Sequence, residues 1–223
     1  MIKDPLAENI FFFVPNVIGY FRIILALVAF YYMPDDHVAA TIAYVLSAVL
    51  DAFDGYAARA LNQSTKFGAI LDQLTDRCAL IGLLTTLAHL YPDYMFAFQL
   101  SMVLDISSHW IHIWASMMQG KSSHKFIDPS QNCILKIYYT SRPVLFLFCA
   151  ANEAFYGGLY LLYFTEGVYV PFLGMGLIRA ITYVSAPISI LKSVISVIQM
   201  SAACINVGIV DVSDRVNERA KDQ

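Results

Sequence analysis

Between Asp51 and Asp76 the chain reads DAFDGYAARALNQSTKFGAILDQLTD, with four carboxylates at helical spacing. Asp51, Asp54, Gly55 and Ala58 stand at i, i+3, i+4 and i+7 and so share one face of a helix. Gly68, Asp72 and Asp76, at i, i+4 and i+8, share one face of a second helix. A short polar turn, Asn62, Gln63, Ser64 and Thr65, joins the two and brings the carboxylates together. Like charges packed this closely repel, which calls for divalent cations, protonation or both. Oxygen-only ligands favour Mg2+ or Mn2+ over zinc. Gly55, Ala58 and Gly68 leave the same faces bare of bulk, so a flat ring or a phosphate can approach the backbone there. Arg59 adds a fixed positive fork at the rim, suited to phosphate.

The chain around these residues is apolar. Of 223 residues 58% are hydrophobic and 14% charged, with a mean hydropathy of +0.60, which implies an integral membrane protein. No cleavable signal peptide is apparent before Pro15. A formal charge of -3 gives no reason to expect a nucleic-acid partner. Cys78, Cys133, Cys149 and Cys204 have no metal-binding spacing and read as buried thiols.

The elements expected to position the carboxylates are six transmembrane helices, preceded by a short N-terminal segment in the membrane interface, in an all-α polytopic fold. The spans read as about 17–33, 38–59, 65–90, 94–118, the stretch after Pro143 to about 163, and about 172 to beyond Met200. The tail after Asp211 is charged and suits water. Arg22, near the start of the first span, can snorkel to headgroups or point inward to phosphate. Arg77 lies about 100° around the helix from Asp76 and suits a neighbouring acid or a headgroup. Asp105, His109 and His112 share one helix face as a polar wall of the same cavity; as a zinc site the trio lacks a ligand pattern. Arg142, at the start of a span on the carboxylate side, and Lys192, at similar depth, are candidates for a polar substrate. Loops at 34–37, 91–93 and 164–170 carry no Lys or Arg, so the positive-inside rule turns both termini and the carboxylates to the cytosol.

Polar intramembrane residues can simply hold helices together, but that needs one or two groups, not four acids in register. A cation path would need acids through the full depth, and here all four lie toward one face. Metal-bound carboxylates at a membrane surface suit a diphosphate substrate, whose oxygens divalent ions bridge while a spare carboxylate takes a proton from an attacking alcohol. Asp76, at the outer end of the ladder, is the natural base; Asp51, Asp54 and Asp72 are the natural metal ligands.

Asp51, Asp54, Gly55, Ala58, Arg59, Gly68, Asp72 and Asp76 together resemble the signature of the CDP-alcohol phosphatidyltransferase family. The segments FFFVPNVIGYFRI and KIYYTSRP are further similar to its inositol-accepting eukaryotic members. The resemblance implies one membrane domain over residues 1–223 and a homodimer in the endoplasmic reticulum membrane. It also implies metal on Asp51, Asp54, Asp72 and Asp76, with Asp76 doubling as base on a myo-inositol hydroxyl. Gly55, Ala58, Gly68 and Arg59 would receive the cytidine diphosphate of CDP-diacylglycerol. Arg142 and Lys192, with Asp105 and His109, would meet the inositol. Glycerol 3-phosphate, serine, choline or ethanolamine could serve as acceptor in the same chemistry. Many relatives carry Thr or Ser where Gly19 stands here.

Overall fold

The computed structural model describes residues 9–118, 138 and 141–221. It divides into two compact units, Met1–Leu90 and Tyr91–Gln223.

The first unit is built on α1 (Val14–Tyr32), which packs against both α2 (His37–Ala60) and α3 (Lys66–Leu90). A single 3-10 turn, Ile10–Phe12, precedes it. Pro15 sits in the first turn of α1, where its missing N–H costs nothing. Pro15, Gly19, Arg22, Ala26 and Ala29 recur at alternating steps of four and three and form the buried stripe. The opposite face presents Phe21, Ile24, Leu27, Val28 and Tyr31, the apolar surface a lipid neighbour requires. The Asp36 carboxylate caps α2, accepting from the Val38 and Ala39 N–H groups at 3.0 Å each. Asn62 takes a left-handed φ of 54° in the turn to α3, a conformation its short amide tolerates. The Thr65 hydroxyl then accepts from the Gly68 N–H at 2.9 Å and starts α3.

The second unit centres on α6 (Leu177–Lys221), against which α4 (Met95–Met118) and α5 (Arg142–Phe164) both pack. Thr182, Ser185, Ser189, Lys192, Ser196, Gln199, Ala203, Asn206 and Val210 lie at alternating steps of three and four and are all buried, giving α6 a mostly polar seam. Ser189 donates to Asn152 Oδ1 on α5 at 3.0 Å, and Tyr156 of α5 donates to Ser101 Oγ on α4 at 3.0 Å. A Cβ on Gly158 would run into the Thr182 hydroxyl, so α5 and α6 approach closely there. Gly158→Leu is therefore expected to lower stability by about 1–3 kcal/mol, read as a lower unfolding temperature in detergent.

The expectation of six transmembrane helices is overturned. Among the described residues four helices are long and apolar enough to cross a membrane: Val14–Tyr32, His37–Ala60, Pro143–Phe164 and Leu177–Lys221. The reason is composition. Lys66, Asp72, Asp76 and Arg77 dilute α3, and Gln99, Asp105, His109 and His112 dilute α4. The protein is an all-α polytopic membrane protein, with one two-residue hairpin, β1 (Tyr169–Val170) against β2 (Met175–Gly176).

The hairpin also moves the start of the last helix from about 172 to Leu177. Gly174 takes a positive φ of 66° within its turn, which stops a helix from beginning at Phe172. Arg179, the basic residue on the face otherwise lacking them, pairs with Glu166 Oε1 at 2.5 Å. Pro187 lies inside α6 without ending it, and the charged tail continues the helix to Lys221. Cys78 and Cys204 are exposed and Cys149 is partly so, contrary to the buried thiols expected; Cys133 lies outside the described residues. On a membrane protein such exposed positions face lipid as readily as water, which a soft, weakly polar thiol tolerates.

Candidate active site

All four signature aspartates converge, and they do so around a residue from a third helix. Arg22, on the buried stripe of α1, is 2% exposed. Its Nη1 donates to Asp54 Oδ2 and Asp72 Oδ1 at 2.6 Å each. Its Nη2 meets Asp51 Oδ1 at 2.7 Å and Asp76 Oδ1 at 2.5 Å. Arg22 points inward and does not snorkel to headgroups, and its partners are the four carboxylates. The Ser47 hydroxyl on α2 donates to the Arg22 carbonyl at 3.0 Å and fixes the depth of the arginine between helices.

The four acids are not equivalent. Asp54 is buried, whereas the Asp51, Asp72 and Asp76 side chains keep 44%, 46% and 37% of their exposure. One carboxylate oxygen from each of Asp51, Asp72 and Asp76 lies within 4.8 Å of the others, a set that can hold a divalent metal ion. Asp54 stands beside this group, on the Nη1 side of Arg22. Arg77 Nη2 is 3.8 Å from Asp76 Oδ2, the neighbouring acid expected for it.

Next to the carboxylates the first unit opens a cleft of about 160 Å³ lined by Asn16, Gly19, Asp54, Gly55, Ala58, Thr65, Gly68 and Asp72. The three small residues of the signature thus face one space, with Asp54 and Asp72 at its edge. They are not interchangeable. A Cβ on Gly55 would meet only the tip of Arg59, at 3.5 Å, an ordinary contact. A Cβ on Gly68 would press on Asn16 Oδ1 at 2.7 Å and on Thr65 Oγ1 at 3.1 Å. Asn16 is fully buried and its amide donates to the Ile10 carbonyl at 2.6 Å, so Gly68 makes room for a structural contact as well as for the cleft. Arg59 itself is exposed, with its guanidinium folded back over Gly55 at the rim.

The remaining candidates lie in the second unit. Lys192 is 7% exposed on the polar seam of α6, flanked along the helix by Ser189 and Ser196. Arg142 opens α5, and its side chain lies outside the described residues. Asp105 is buried on α4, and His109 Nδ1 lies 2.8 Å from the Asp105 carbonyl oxygen and 3.7 Å from its Oδ1. Sequence reasoning did not single out Asn16, Ser47 or the polar seam. The seam's regular spacing of small polar residues was the available signal for α6.

Residues 12–165 match the CDP-alcohol phosphatidyltransferase family. The CDP-diacylglycerol–inositol 3-phosphatidyltransferase of Mus musculus is 55% identical over 213 residues, 95% of this chain and 99% of that protein. The protein of the same name from Drosophila melanogaster is 48% identical over 216 residues, 97% of this chain and 94% of its own length. That of Saccharomyces cerevisiae is 40% identical over 199 residues, 89% and 87%. No solved structure matches the chain. With a match over most of its length and the signature carboxylates gathered at one point, the chain belongs to the CDP-alcohol phosphatidyltransferase family.

Proposed function

We propose that the protein transfers the phosphatidyl group of CDP-diacylglycerol to myo-inositol, giving phosphatidylinositol and CMP. The observation that carries this reading is the convergence of Asp51, Asp72 and Asp76 beside a cleft floored by Gly55, Ala58 and Gly68. The choice of inositol among alcohols rests on the names of the relatives, which share 40–55% identity with this chain.

In this reading the cytidine diphosphate enters the cleft, where Gly55, Ala58 and Gly68 admit it and the Arg59 fork turns from Gly55 to a phosphate oxygen. Asp51, Asp54, Asp72 and Asp76 would hold Mg2+ or Mn2+, Asp51, Asp72 and Asp76 being the acids whose oxygens already converge. When bound there, the ion would supply positive charge to offset that of the diphosphate and the departing CMP. Asp76, partly exposed at the end of the ladder, accepts the proton of an inositol hydroxyl. The oxygen so freed forms a bond to the phosphorus that carries diacylglycerol, and the bond from that phosphorus to CMP breaks. Arg142 and Lys192 supply donors for the polyol.

The relatives align over nearly the whole chain, which supports one catalytic domain over residues 1–223; a homodimer is the assembly proposed for it. The basic residues at 59, 66 and 215–221 favour a cytosolic active site and termini, in the endoplasmic reticulum membrane.

The test is CMP release by the detergent-purified protein with CDP-diacylglycerol and Mn2+ or Mg2+. Myo-inositol, serine, glycerol 3-phosphate and choline are offered separately, with EDTA as control. Release with inositol alone, abolished by EDTA and restored by excess metal, is the expected result. Release with another acceptor would keep the carboxylate chemistry and discard the inositol assignment.

A further inference from the structure

The Arg22 guanidinium stands at the meeting point of the carboxylates assigned above to the metal, within 2.7 Å of one oxygen of each of Asp51, Asp72 and Asp76. A divalent ion approaches carboxylate oxygens to about 2.0–2.6 Å, and like charges that close repel strongly in a low-dielectric site. Guanidinium and metal therefore compete for one place. Two features show that the arginine can leave it. Arg22 meets four carboxylates and Arg77 lies 3.8 Å from one of them, so the acids still outnumber the cations, an excess that a divalent ion answers better. The Arg22 Nε is buried without a hydrogen-bond partner, so the guanidinium is not fully satisfied where it sits.

We propose that Arg22 is a resident cation of the carboxylate cluster which the divalent metal displaces. It holds the four acids of α2 and α3 converged from α1 and yields its place when the ion arrives. The displaced fork would then be free to pair with a phosphate, which can satisfy Nε as well. Arg22 is in this sense a positioning residue, and the inference rests on the metal assignment made under the proposed function.

The experiment measures Mn2+ binding to the full-length protein in detergent, by loss of the free-ion electron paramagnetic resonance signal, without substrate. If Arg22 competes with metal, Arg22→Gln binds Mn2+ at least about tenfold more tightly than the unsubstituted protein, and Arg22→Lys falls between the two. Mn2+ also raises the unfolding temperature of Arg22→Gln by more than it raises that of the parent, because in EDTA the variant has lost the cation that offsets part of the charge on its acids. Unchanged or weaker Mn2+ binding in both variants overturns the proposal and makes Arg22 a structural prop beneath the ion. If Arg22→Gln is recovered folded only with Mn2+, the ion has taken over the arginine's task and the proposal stands; if neither variant folds even with Mn2+, it falls. Absence of Mn2+ binding by the parent overturns the metal assignment itself, which separates that failure from this one.

Discussion

Asp76→Asn is expected to lower CMP release by about a thousandfold or more, the upper part of the range for losing a general base. The substitution keeps the size of the side chain and its capacity to accept from Arg22 Nη2 through the amide oxygen, so α1 and α3 stay joined. What it removes is a charge on the metal set and a site for the acceptor's proton. CDP-diacylglycerol binding should be largely kept, since Asp76 does not line the cleft. The comparison to make is with Asp54→Asn. Asp54 is buried and edges the cleft, so its loss should weaken metal and nucleotide binding together. Near-normal turnover in folded Asp76→Asn would sink the base assignment.

The second large effect is at Gly55. A glycine inside a helix costs about 0.5–1 kcal/mol relative to alanine, and packing among the described residues does not require it here, because an added Cβ meets only the flexible end of Arg59 at ordinary distance. Gly55→Ala is expected to raise the unfolding temperature of the detergent-solubilised protein. Gly55→Leu is expected to fold and to weaken CDP-diacylglycerol binding by about 10- to 100-fold, the range an overpacked contact gives. That opposition of sign distinguishes a glycine kept for a ligand from one kept for packing. Gly68 gives the contrast: any side chain there pushes on Asn16, so stability and binding should fall together. Normal CDP-diacylglycerol affinity in folded Gly55→Leu would place the nucleotide outside the cleft.

The convergence of the aspartates was legible because charge is costly in an apolar chain, and its spacing along two helices leaves few arrangements. The route of convergence was not. Two helices joined by a turn suggested direct pairing of α2 and α3, whereas α1 packs on both and carries the bridging cation. A lone arginine in the first turns of a span satisfies snorkelling and inward pointing equally well, and only the neighbours of Gly19 and Ser47 decide between them. Helix limits were read to within a few residues for α1 to α4, since turns with Pro, Asp and Asn bound them. The start of α6 was missed because Val168 to Phe172 is as apolar as a span, and its pairing as a hairpin depends on Gly174 and Gly176. Span count failed for a related reason: helices that keep polar groups for a site or a network have less hydropathy to offer. Cysteine burial failed because low polarity alone does not distinguish an inward from an outward face.

The polar seam of α6 bears on how the protein is made. The helix is apolar enough to partition into lipid unaided, yet doing so alone would set Thr182, Ser185, Ser189, Lys192, Ser196, Gln199 and Asn206 against hydrocarbon. Its partners α4 and α5 precede it in the chain and so leave the ribosome first. Asn152 of α5, the partner of Ser189, is then already made, on a helix that Tyr156 ties to Ser101 of α4. Moving α6 to the front of the chain would reverse that order, leaving a nascent helix exposed on its wet side and a ready substrate for membrane quality control.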